Sequence, residues 1–342
     1  MTRSESAGYK NFFDVLPAVN FGLSLLIVMH HSCTINIDCT PPQQKNLAWI
    51  VQRYLYNFSE CAVPVFFFIS AMLFFRNYEN SKAGYCNKVK RRIKSLVIPY
   101  IAFNTLGYFK HLLFSNDVYS TAGLIKSILS SDTMPLWFLR ELFVLVLLAP
   151  IINIFRKNKC FILMICVCIG ALVTIGMVKY RSFLYWVPIY TLGASFQESA
   201  FVDIKTKITC NKFLLLAVFY LIFVWMLPNT TGVMSVYGNL CFYVFRLTSV
   251  AMGILAISFL LYSNIKTYGF MHYSFWVYCT HFPLISLLLL MFSHIVKADS
   301  QFVEILKYFS VVILSYGLSV NLAIFIQRFC PIIWKILNGG RH

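Results

Sequence analysis

Ionisable side chains inside long apolar stretches cost about 2.5–3.5 kcal/mol each at the centre of a bilayer on insertion scales, so those a hydrophobic chain keeps there mark candidate chemistry. In this sequence they are His30 and His31, Arg140 and Glu141, Arg246 and His281, with Glu60 opening a further apolar run. A histidine, with a reference pKa of ~6.5, can take a proton from a hydroxyl, a carboxylate can orient it, and an arginine can hold an anion or a developing oxyanion. Glu60 and Glu141 are the candidate orienting groups. Arg140, Arg246 and His281 are candidates for the substrate or the oxyanion. Neighbouring helix positions point ~100° apart, so at most one of His30 and His31 serves a given reacting centre, and Arg140 and Glu141 are each expected to find another partner. The plainer alternatives are a structural ion-pair set for Arg140 and Glu141, packing for Arg246, and a simple interhelical hydrogen bond, worth ~0.6 kcal/mol, for a lone histidine such as His281.

A second group is cationic. Lys88, Lys90, Arg91, Arg92 and Lys94 fall within seven residues and run directly into Ile98-Pro99-Tyr100. Such a run is an ordinary orientation signal for a membrane chain, and it is also able to hold the phosphates of a cytoplasmic nucleotide. No Walker A loop, GxSxG, HExxH or glycine-rich dinucleotide loop occurs, so the sequence offers nothing for ATP-driven transport or zinc proteolysis, and no metal site is expected.

The elements that must position these groups are apolar helices. Of 342 residues, 59% are hydrophobic and 12% charged, against about 25% charged in an ordinary soluble domain, and mean hydropathy is +0.72. Apolar stretches at 15–36, 58–75, 95–114, 135–155, 161–179, 183–197, 212–228, 238–262, 270–295 and 303–327 predict an all-α polytopic protein of ten spans, since barrel strands would alternate over ~10 residues. With both termini cytoplasmic, nineteen Lys and Arg fall on inside segments against eight outside, with Arg140 and Arg246 inside spans. The net charge of +17 then reads as cytoplasmic loops facing anionic lipid rather than as a nucleic-acid surface. The first apolar run lacks an A-x-A cleavage site and is expected to stay as an anchor. Eleven scattered Cys without CxxC read as small membrane hydrophobes; the one pairing left open is Cys33 with Cys39. Residues 1–342 read as one domain. At 1.5 Å per residue His31 lies ~22 Å in from the cytoplasm and Arg140 and Glu141 ~8 Å in from outside, a common level in the outer third, with Arg246 and His281 nearer the midplane.

Five segments in order carry a resemblance. They are His31-Ser32 closing the first apolar run, Val63-Pro64-Val65-Phe66-Phe67-Phe68-Ile69-Ser70, the basic run into Ile98-Pro99-Tyr100, Pro135-Leu136-Trp137-Phe138-Leu139-Arg140-Glu141-Leu142, and Tyr278 to Pro283. Together they resemble the integral-membrane acyltransferase-3 family, of the bacterial polysaccharide O-acetyltransferase type, across essentially the whole chain. The resemblance implies ten or more helices and a cell-membrane enzyme of envelope O-acetylation. It would move an acetyl or related acyl group from acyl-CoA to a hydroxyl of an extracytoplasmic glycan or lipid-linked saccharide. Some members carry a fused soluble domain, for which no residues are seen here. The family signature is Arg or Lys, ten residues, then the catalytic His; it selects His31 and places Asn20 where the cation would stand, so another cation is expected to substitute.

On this reading acetyl-CoA enters from the cytoplasm with its phosphates on Lys88 to Lys94 and its pantetheine arm along the first helix past Asn20. His31 acts as base or is transiently acylated, and Trp137 stacks on a sugar, although interfacial aromatics are also an ordinary membrane belt. The alternative is a transporter or flippase of a glycan precursor or small anion, which would call for paired, broken helices in corresponding halves; no such repeat is visible.

Overall fold

The computed structural model describes residues 11–37, 45–115, 117–228, 235–263, 265–295 and 300–341. Arg3, Lys10, Cys39 and Lys297, and so the pairing of Cys33 with Cys39, lie outside the described residues. All regular structure among the described residues is helical.

Helix starts are set by short polar caps. Asn11 opens α1 (Phe12–His31) by accepting from Phe13 N at 3.1 Å, while Asp14 accepts from Asn11 N at 3.2 Å, a reciprocal capping box. Asn46 caps α2 (Leu47–Ser59) through Trp49 N, and α3 (Ala62–Phe75) follows after a two-residue break. The break has a local cause: Pro64 lacks the amide that would bond the Glu60 carbonyl one turn earlier. Ser81 caps α4 (Lys82–Arg92), the basic helix, which passes through a π-helical turn (Ile93–Val97) into α5 (Ile98–Phe114).

After α6 (Thr121–Ser130) the chain enters α7 (Trp137–Leu147) and α8 (Ala149–Phe155), bent by 63° around Leu148, where Pro150 lacks the amide that would bond the Val146 carbonyl. Next come α9 (Lys159–Thr174), α10 (Phe183–Ser195), α11 (Ser199–Lys207) and α12 (Cys210–Met226), the last two bent by 99°. A long α13 (Val236–Leu260), a 3-10 turn (Gly269–Tyr273) leading into α14 (Ser274–Ile295), α15 (Gln301–Phe329) and a short α16 (Pro331–Leu337) complete it. Each of the ten apolar stretches thus coincides with a helix or a broken pair. Five helices are long and apolar enough to cross a membrane, or seven if each bent pair is one span.

The core is aromatic and tight where α3 meets α10. A Cβ at Gly193 would collide with the Phe68 carbonyl oxygen and lie 2.9 Å from the Ala71 Cβ, so only glycine permits this close crossing. Phe67 stacks on Trp186 with ring centroids 4.5 Å apart, locking the same pair of helices. Against this seam pack α1, α7 and α13, the three helices that carry His31, Trp137 and Arg246.

Candidate active site

His31 ends α1, and its ring makes no hydrogen bond to a described residue. It faces a cavity of about 750 Å³ walled by the ends of α1 and α2, Glu60, the start of α7, residues 176–181, α10, α13 and Tyr278 of α14. His281 stands behind it, ring centroids 5.2 Å apart. The His281 Nδ1 donates to the Tyr278 carbonyl at 2.7 Å, which leaves the lone pair on Nε2, and that buried atom has no partner among the described residues. The sequence had put His281 deeper than His31. The 3-10 turn ahead of α14 accounts for part of the difference, because it rises ~2.0 Å per residue rather than ~1.5 Å and carries α14 further along.

His30 lines the same cavity and meets His31 edge to face, ring centroids 5.0 Å apart, but its own partners lie on α2 and at Glu60. It stacks on Tyr56, centroids 4.2 Å apart, with Nδ1 3.1 Å from Ser59 Oγ and Nε2 3.8 Å from Glu60. Glu60 therefore attends His30 and not His31, and its main partner is Arg246 at 2.6 Å. Arg246 also donates to the Tyr185 hydroxyl at 2.7 Å and lies over the Tyr180 ring at 4.1 Å. The buried Arg246 is thus neutralised in place.

Arg140 and Glu141 behave differently from the expectation that each needs another partner. Arg140 Nε reaches Glu141 Oε1 at 2.7 Å, because the long guanidinium stem curls back over the ~100° between the two positions. Arg140 also donates to the Leu129 and Arg181 carbonyls. Neither residue lines the cavity around His31, whereas Trp137 and Phe138 of the same helix do. The pair braces α7 against the 129 and 181 loops and stands off the site. Residues 176–181 were not singled out by the sequence, yet Lys179, Tyr180 and Arg181 line the cavity; their signal was a basic and aromatic loop that read as an ordinary connector.

Between this cavity and the basic helix lies a second, of about 420 Å³, lined by Asn20, Phe66, Leu96, Arg92 and Arg341 among others. The two share Phe138 and Tyr278, whose rings meet edge to face at 5.9 Å and whose position is fixed by the Tyr278 hydroxyl donating to Pro135 O at 3.2 Å. A third cavity, about 580 Å³, is lined by Lys88, Arg91, Arg92, Lys94, Lys335 and Arg341 and shares Leu73, Arg92 and Arg341 with the second. Of the five basic candidates, Lys90 is exposed and lines none of the three. Lys88 is already engaged, donating to the Phe74 and Arg76 carbonyls at 2.6 and 2.8 Å at the end of α3. Burial, then the charges of Arg92 and Arg91, hold its ammonium below the usual lysine range.

No group of His, Cys, Asp and Glu suited to a metal occurs among the described residues. Neither the curated proteins nor the solved structures contain a match to this chain. The family model described as an acyltransferase domain matches residues 22–324, from the first helix through most of α15. That stretch takes in His31, the basic helix and the walls of the cavity around His31, and on this match the chain is a membrane protein of the acyltransferase-3 family.

Proposed function

We propose that this acyltransferase is an O-acyltransferase of the cell membrane that takes an acetyl or related acyl group from acyl-CoA on the cytoplasmic side and delivers it to a sugar hydroxyl on the far side. One observation carries the reading: three adjoining cavities lie in a row between the basic helix α4 and His31, each sharing lining residues with the next. Asn20 and His31 are eleven residues apart on α1, three turns and ~16 Å, a span suited to an extended pantetheine arm. The ten helical stretches with the basic helix inside and both termini cytoplasmic give the matching orientation, following the excess of Lys and Arg.

In the transfer, a hydroxyl of the acceptor enters the cavity beside Trp137 and Tyr180 and gives its proton to His31 as its oxygen bonds to the thioester carbon. The C–S bond then breaks, and the sulfur leaves with the proton returned by His31. His281 Nε2, an acceptor only, favours a His31 tautomer whose N–H faces it and whose lone pair faces the substrate. The positive charges of Arg181 and Lys179, which line the cavity, suit the oxyanion that develops on the carbonyl, whereas Arg246 is held by Glu60. Glu60 and Arg246 hold His30 and Tyr185 as the wall of the site, and the pair formed by Arg140 and Glu141 holds α7.

The test is to incubate membranes containing the protein with acetyl-CoA labelled in the acetyl group and follow label into an alkali-labile glycan ester. Label should appear with the wild type and be absent with His31→Ala. Equal labelling by the two at matched expression would overturn the mechanism. A transporter finds no support: the two bent helix pairs differ in angle, 63° against 99°, and the family match is to an acyltransferase.

A further inference from the structure

The short segment after α16 is built to hold one cation at the junction of the inner two cavities. Gly339 and Gly340 adopt left-handed backbone, φ +65° and +70°, which only glycine takes without strain. A Cβ at Gly339 would stand 2.8 Å from Ser95 Cα and 2.9 Å from Ser95 O, so glycine also lets the segment lie against the π turn that follows α4. Asn338 Nδ2 donates to the Arg341 carbonyl at 2.9 Å, tying the loop closed. One terminal nitrogen of Arg341 donates to the Ser95 and Asn338 carbonyls at 2.9 and 3.1 Å, and the guanidinium lies 3.4 Å from the centre of the Phe275 ring.

The remaining Arg341 donors, Nε and the second terminal nitrogen, make no hydrogen bond to a described residue. Arg341 and Arg92 both line the inner passage beside Asn20 and the basic cavity beside Lys94 and Lys335. No ion pair among the described residues involves Arg341, Arg92, Arg91, Lys94 or Lys335. Burial lowers the Arg341 guanidinium to about 10, first by desolvation, with Arg92 adding to it. Two desolvated cations with open donors, at the neck of a passage and without a carboxylate between them, fit a doubly charged ligand group held by two forks. Asn338 to Arg341 also lies beyond residues 22–324, so the family match does not assign it.

We propose that the Asn338–Arg341 strap supplies Arg341 as the residue that, with Arg92, binds the diphosphate of the acyl donor at the neck of the passage. Lys94, Arg91 and Lys335 are left to the nucleotide end. This rests on the acyl-CoA reading above and fills the vacancy Asn20 leaves in the first helix with a cation from the other end of the fold.

Binding measured on the full chain in detergent by calorimetry tests it. CoA should bind the wild type, and Arg341→Gln should weaken it by about 10- to 100-fold. The same factor is expected with 3′-dephospho-CoA, which keeps the diphosphate, and no change with pantetheine, which lacks it. On the unaltered protein, inorganic diphosphate should displace CoA, an arm that holds even if the variant does not fold. Equal CoA affinity in wild type and a folded Arg341→Gln, or no displacement by diphosphate, would overturn the proposal. A loss with CoA but none with 3′-dephospho-CoA would overturn the diphosphate assignment in favour of the ribose phosphate. Failure of the wild type to bind CoA at all would instead overturn the donor reading on which it rests.

Discussion

The outer and inner cavities handle buried charge differently. Around His31 the buried charges are spent on one another: Glu60 holds Arg246 at 2.6 Å and faces His30 at 3.8 Å, and Tyr185 takes a further Arg246 donor, while Lys179 and Arg181 line the same cavity as exposed cations outside any ion pair among the described residues. Around Arg341 the cations stand together with no carboxylate among them. A buried pair that neutralises itself stabilises a shape, whereas an unpaired cluster stays costly until an anion arrives. On the proposed reading, the outer cavity is held in shape for a reaction and the inner one is prepared for a ligand.

The comparison breaks first at His31. General-base catalysis contributes ~10²–10⁴, so His31→Ala should lose at least two orders of magnitude in acyl transfer while still inserting in the membrane, and His30→Ala far less; label transfer at matched expression measures both, and a selective loss in His30→Ala would reverse the assignment. Next is the Glu60–Arg246 pair. Glu60→Gln leaves a buried guanidinium uncompensated and should cost about 3–5 kcal/mol of stability, whereas replacing both residues by Met should recover most of it; thermal unfolding in detergent reads this, and a single variant as stable as wild type would mean that the outer charges are not mutually spent. Smaller effects belong to the inner cavity. Arg91→Gln with Arg92→Gln should raise the donor KM about tenfold and Lys90→Gln less than twofold, since Lys90 lines no cavity. A variant that inserts normally with unchanged KM would leave this run only its orienting role. The smallest is Asn20→Arg, which should change the donor KM by no more than about threefold because Arg341 already serves the passage.

Much of the frame was legible because apolar length is a strong signal. All ten stretches land on helices, and His31, Trp137 and Arg246 line one cavity and Asn20 the next, although the depths read from the sequence had grouped His31 with Arg140 and Glu141 and set Arg246 deeper. What was hidden depended on breaks and on pairing across distance. Glu60 read as the opening of a span; it sits instead at a kink within a longer one, at the carbonyl that Pro64 cannot bond. The Glu60–Arg246 pair joins residues 186 positions apart, beyond any local pattern. Arg341 counted only as one more inside charge, because a glycine turn gives a conformation and not a destination. Lys179 and Arg181 were lost the same way, as charges in a connector.

The edge-to-face pair of Phe138 and Tyr278 stands where the two cavities share their lining. On the proposed route an arm reaching from Arg341 toward His31 has to pass these two rings, so their packing sets the width of the group that the route admits.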